Sequence, residues 1–192
     1  MKRILAFAIV LGMALSLAAW AADAPKKEEA KGTYVGIGKC KMCHMKEYKA
    51  WSDTKHAKAL ENLKAATPEQ IKKMNDLLKS AVKDHPEADS VCVRCHVTGY
   101  KETGGYPDKD EARNATLAFV GCEVCHGPGS AHMAVPMSDK EGRKKAIVHP
   151  TEETCKRCHT ADIAPKFDFA EMSKKVHPIA AATPAPAPTP AK

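Results

Sequence analysis

The chain has 192 residues, carries 30 Lys and Arg against 23 Asp and Glu for a net charge of +7, and contains 8 cysteines. Only 5% of its residues are Phe, Trp or Tyr, and these are not interleaved with basic residues, which argues against a nucleic-acid binder that stacks single-stranded bases. So thin an aromatic supply also excludes an interior packed by large aromatic side chains alone.

Lys2 and Arg3 lead into an apolar run over residues 4–20 that ends at Ala19-Trp20-Ala21, a small-x-small site ahead of Ala22. This is the pattern of a cleaved secretory signal peptide over residues 1–21. The run is short for a membrane span and lacks a basic flank close behind it, so no stable membrane insertion is expected after cleavage. Residues 22–33 are charged and small and read as a flexible leader. The folded domain is expected over residues 34–177, and residues 178–192, rich in Pro and Ala, read as a polyproline-like tail.

Residues 42–51 read as a helix, and Ser52 as the N-cap of a second helix carrying His56. Thr67-Pro68-Glu69-Gln70 is a capping box with proline at the first helical position, followed by Ile71, Met74, Leu77, Leu78 and Val82 at helical spacing. Residues 99–110, with Gly99, Gly104, Gly105 and Pro107, read as a loop. Ser138-Asp139-Lys140-Glu141 is a further capping box, Thr151 caps a helix, and Phe169, Met172 and Val176 mark a short final one. No alternating strand pattern is present, so the expected fold class is mainly α with long loops.

All eight cysteines fall in four copies of Cys-x-x-Cys-His: Cys40, Cys43 and His44; Cys92, Cys95 and His96; Cys122, Cys125 and His126; Cys155, Cys158 and His159. Two zinc sites would use eight cysteines but give no reason for a histidine after each second one. Random placement of nine histidines would put one there four times with a probability of roughly 10⁻⁵ to 10⁻⁶. The pattern is the attachment signature of c-type haem, in which two thiols form thioethers and the adjacent imidazole ligates iron from the proximal side. The expected fold is therefore a small multihaem cytochrome c fold whose core is built around four covalently bound c haems. Thioether attachment outside the inner membrane agrees with export, and places the chain in the periplasm, with the extracellular space or outer surface as the alternative. Propionates from four haems would add up to −8 and bring the cleaved chain from +5 to about −3. Much of the lysine content then answers the haems' own carboxylates, and no nucleic-acid partner is implied.

Five histidines remain for the distal positions: His56, His85, His132, His149 and His177. His132 follows His126 across a Gly127-Pro128-Gly129 turn too short to wrap a porphyrin edge, so it is expected to ligate a haem other than that of its own motif; the same argument applies less strongly to His56 and the first haem. His56, His132, His177 and His149 are the candidate distal ligands, with His85 behind them. Met133 and Met172 are better read as packing.

Several stretches resemble the cytochrome c-554 family: Tyr34-Val35-Gly36-Ile37-Gly38, then Tyr48, Trp51 and Lys55-His56-Ala57, Cys95-His96-Val97-Thr98-Gly99, the run from Gly121 to His132, and Pro165-Lys166-Phe167 toward His177. The resemblance covers residues 34–177. The family's founding member is the tetrahaem electron acceptor of hydroxylamine oxidoreductase in nitrifying bacteria. It implies His56, His132 and His177 as distal ligands and a five-coordinate second haem, on Cys92 and Cys95. His85 and His149 depart from the family pattern, and either could close that position. The closed state is the favoured expectation.

The function expected is a periplasmic electron relay between redox protein partners in anaerobic respiration, a quinol-linked donor and a terminal reductase or oxidoreductase, with no catalytic residue of its own. Two alternatives are a nitrogen-oxide reductase at an open haem, and a self-associating subunit of an extracellular conducting filament.

Overall fold

The computed structural model describes residues 32–176. Residues 1–31, on which the expected signal peptide and most of the expected leader fall, and residues 177–192, with His177 and the expected tail, lie outside the described residues. Short helices joined by long loops make up this part, and no strand occurs among the described residues. In chain order they are α1 (Ile37–Cys40), α2 (Met45–Ser52), a 3-10 turn (Lys55–Lys58), α3 (Ala59–Lys64), α4 (Pro68–Leu78), a second 3-10 turn (Pro86–Ala88), α5 (Ser90–Val93), α6 (Glu111–Asn114), α7 (Cys122–His126), α8 (Ser130–Ala134), α9 (Lys140–Lys145), α10 (Glu152–Lys156) and α11 (Phe169–Val176).

Local capping chemistry sets most of the boundaries. The Thr67 hydroxyl accepts from Gln70 N at 3.3 Å and the Gln70 side chain accepts from Thr67 N at 2.8 Å, so α4 opens on a reciprocal capping box. It closes at Lys79, in the left-handed conformation. Val82, expected on that helix, lies beyond it and is buried, its backbone held by the Asn75 side chain. Ser52 is the last residue of α2, not a cap, and its hydroxyl donates back to Lys49 O at 2.7 Å. His56 accordingly rides on a 3-10 turn. At α9 the cap is Asp139, whose carboxylate accepts from Gly142 N at 2.8 Å.

Within residues 97–121, Val97, Thr98, Gly99, Gly105, Leu117 and Gly121 are buried. Thr98 is 2% exposed; its hydroxyl donates to Phe119 O at 2.7 Å and accepts from Gly121 N at 3.1 Å. Gly105 lies so close to Gly99 that a Cβ there would fall 1.9 Å from the Gly99 carbonyl oxygen. Trp51 is buried, donates from its indole to Val120 O at 2.9 Å and meets Phe119 edge-on. The main apolar cluster is Leu60, Leu63, Val93 and Val97, with Cys92 of the second motif packed against it. This cluster is small for a domain of this length, as the thin aromatic inventory leads one to expect.

Candidate haem sites

In each motif the cysteines and histidine stand at i, i+3 and i+4, and a helical turn brings all three to one side. The backbone makes that turn in every copy: His44 N donates to Cys40 O at 3.0 Å, His96 N to Val93 O at 2.8 Å, Val124 N to Gly121 O at 3.1 Å, and His159 N to Cys155 O at 2.9 Å. All eight cysteines are free thiols. Among the described residues no three of His, Cys, Asp and Glu converge at metal-binding spacing. The donor set at each motif is thus one cysteine pair with one imidazole, which is the set a covalent haem requires.

Two motif histidines face a second imidazole from elsewhere in the chain. His44 and His132 have ring centroids 6.1 Å apart, and His56 and His159 have theirs 6.0 Å apart. Imidazoles ligating one ion from opposite sides, at a metal–nitrogen length of about 2 Å, hold their centroids about 6 Å apart. The His132 Nδ1 lies 2.9 Å from Arg143 O and its Nε2 lies 3.0 Å from the Arg143 guanidinium, so Arg143 meets both ring nitrogens, and Nε2 would have to exchange that partner to ligate iron. Burial lowers the pKa of His56, helped by neighbouring His159, and burial lowers that of His159 itself. Both rings are thereby held in the neutral form that coordinates metal. Phe167 stacks on the His159 ring at 5.0 Å.

The other candidates are placed differently. His96 Nδ1 lies 2.7 Å from Ala59 O and His126 Nδ1 lies 3.0 Å from Val148 O, carbonyl contacts that fix the tautomer of a ligating imidazole. No second imidazole faces His96 among the described residues. His149 is exposed and bonds to Lys144 O at 3.1 Å, while His85 is exposed and bonds to Glu87 at 3.2 Å. His177 lies outside the described residues.

Thiols of different motifs also meet. Cys40 lies within interaction range of Cys122, Cys95 of Cys158, and Cys125 of Cys155, while the Cys40 thiol donates weakly to Gly36 O at 3.9 Å. The interaction within each of the first two pairs lowers Cys122 and Cys95, the latter to about 6, and raises Cys40 and Cys158. Burial pushes Cys125 up to about 11. Thioether formation removes these titrations. The contacts order the motifs in space as first, third, fourth, second.

Glu123, between the two cysteines of the third motif, was not singled out from the sequence. It is 4% exposed and accepts three backbone N–H groups: Val35 at 2.8 Å, Gly36 at 2.8 Å and Gly129 at 2.7 Å. It ties the start of α1 and the turn before α8 to the third motif. A lone acid inside an attachment motif, with Gly36 and Gly129 as distant partners, was the only available signal.

A mainly helical chain with repeated Cys-x-x-Cys-His turns and carbonyl-anchored imidazoles is a c-type cytochrome, the class that holds haem c covalently. The family described as cytochrome c554 and c-prime matches residues 39–127. Cytochrome c-554 of Nitrosomonas europaea is 36% identical over 152 residues, which cover 72% of this chain and 59% of that protein, so the match spans less than two thirds of its relative. The solved structure of the reduced state of cytochrome c554 from Nitrosomonas europaea superposes with a TM-score of 0.55 at 31% identity, covering 74% of this chain and 82% of the other. The chain belongs to the cytochrome c-554 family.

Proposed function

We propose that the chain is a periplasmic cytochrome with four covalent haems that relays single electrons between respiratory redox partners, a quinol-linked donor on one side and a terminal reductase or oxidoreductase on the other. The observation that carries this reading is the pairing of His44 with His132 and of His56 with His159 at ligand spacing, each joining a motif to a remote segment. When bound, a c haem supplies a one-electron iron couple. The protein's share is to hold each group by its cysteine pair and to present neutral imidazoles, as burial does at His56 and His159. Intact mass and a pyridine haemochrome assay on protein exported with its signal sequence should give four haems per chain. Fewer than four, or zinc in place of iron, would defeat the reading.

A second reading draws on His96, whose ring is anchored at Ala59 O and has no imidazole opposite it among the described residues. With His149 bonded to Lys144 O and His85 to Glu87, this placement favours an open second site over the closed one expected from the histidine count. Nitric oxide added to the reduced protein should bind at one haem per chain by optical and EPR spectra. Absence of any rapid binding would restore the closed state, and turnover would promote a reductase over a carrier.

A further inference from the structure

The four motifs differ sharply in charge. From two residues before the first cysteine of each motif to ten after it, the first carries Lys39, Lys41, Lys46 and Lys49 against Glu47, a net of +3. The matching stretches of the second, third and fourth motifs come to +1, −1 and 0. Two propionates per haem lower every site equally, so the contrast survives haem attachment. The first motif is also the most open. Cys43 is the one exposed cysteine of the eight, the His44 side chain is 54% exposed, and all four of these lysines are exposed.

Of the large apolar side chains exposed among the described residues, Met42 at 71% and Met45 at 48% lie on either side of His44 in sequence, and Met133 at 44% follows His132, whose ring faces His44. An apolar, adaptable centre with a charged rim is the anatomy of a transient protein interface. We propose that the face formed by Lys39, Lys41, Lys46, Lys49, Met42 and Met45 is the port through which electrons pass to or from an acidic redox protein. This rests on the reading of the chain as an electron relay. The lysines set the approach of a negatively charged partner, and the methionines give it an uncharged surface to seat on.

The test uses the haem-loaded protein and an acidic redox protein of known chemistry, flavodoxin, as the probe. In stopped flow, flavodoxin hydroquinone loses one electron to become semiquinone, and the cytochrome gains that electron. Lys39→Glu, Lys41→Glu, Lys46→Glu and Lys49→Glu combined should lower the second-order rate constant at least tenfold at low salt, against less than about threefold for Lys64→Glu, Lys72→Glu, Lys73→Glu and Lys83→Glu, exposed lysines outside the first motif that change net charge equally. Both should converge on the parent at about 0.5 M salt, where screening acts within a few ångströms. The milder pair Lys41→Gln with Lys46→Gln should slow the reaction in the same sense if the fourfold variant fails to load haem. Carbodiimide cross-linking followed by mass spectrometry should join flavodoxin to the first-motif lysines. Equal slowing by both fourfold variants, no slowing by either, or cross-links confined to other lysines would overturn the port. Reduction by dithionite separates the two readings: a protein that dithionite reduces but whose flavodoxin rate ignores these lysines loses the port and keeps the relay, whereas one that dithionite cannot reduce loses both.

Discussion

Replacing Glu123 by Ala removes the acceptor of three backbone N–H groups at once. Gly36 N and Gly129 N are buried, and Val35 N is partly so. A buried donor left unsatisfied costs about 1–3 kcal/mol, so two such groups with a smaller share from Val35 come to about 4 kcal/mol. Set against a total stability of about 5–15 kcal/mol this is a large fraction. At about 2–4 °C per kcal/mol for a chain of this length, the melting temperature should fall by about 8–16 °C. Glu123→Gln keeps one oxygen in place and turns an amide N–H₂ toward another donor, and should lose roughly half as much. Thermal melts followed by far-ultraviolet circular dichroism rank the variants, and hydrogen exchange at residues 33–36 and 129 reports the local release. An Ala variant melting within about 2 °C of the parent, below 1 kcal/mol, would refute the clamp.

His132→Ala and His56→Ala should each convert one low-spin haem to high spin while leaving haem content unchanged, because each removes the imidazole facing a motif histidine at 6.1 or 6.0 Å; an unchanged EPR spectrum would count against shared ligation. Gly105→Ala should give little soluble folded protein, since its Cβ would sit 1.9 Å from Gly99 O and neither backbone can yield cheaply. Recovery of normal yield and melting would show that the loop has slack. Cys122→Ser with Cys125→Ser should lose one haem by intact mass and destabilise the chain well beyond the cost of two thiols, and a fully stable double variant would show that haem contributes little as core.

The attachment motifs are legible because their chemistry is local: three residues on one helical turn define each site whatever surrounds it. The Thr67 capping box and the Thr151 cap are legible for the same reason, whereas the box expected at Ser138 gives way to Asp139, one residue on, as the cap of α9. Ser52 misleads because a serine before a helical stretch and one ending the preceding helix look alike, and only its donation to Lys49 O separates them. The turn after His126 separates His132 from its own motif, but nothing in the sequence names His44 as its neighbour, since that depends on how α2 and α8 are brought together. Glu123 is opaque on the same ground: its partners at 35 and 36 lie almost ninety residues away and offer only backbone. For His149 and His85 a count of imidazoles carries no directions, and direction is what the Lys144 and Glu87 contacts supply.

The two imidazole pairs bear on the fold as well as on electron transfer. Apart from α4, each described helix has at most eight residues, and all fall below the roughly 12–15 that an isolated helix needs to hold in water. Their stability has to come from long-range ties, and the main apolar cluster offers only four buried residues. A shared iron would join His44 to His132 and His56 to His159, closing stretches of 88 and 103 residues. By the loop-closure relation used for disulfides, cross-links of that span each remove unfolded-state entropy worth roughly 4–5 kcal/mol. Together they are comparable to the whole stability of an ordinary domain. Axial ligation and tertiary structure then draw on the same bonds, so a distal histidine cannot be removed as a purely electronic change. The first site, which has the most exposed motif, is joined through His132 to a segment that Arg143 and the turn at Gly129 hold in place. Openness toward a partner and rigidity toward the rest of the chain are compatible there because the tie runs through the distal imidazole and not through the exposed proximal edge.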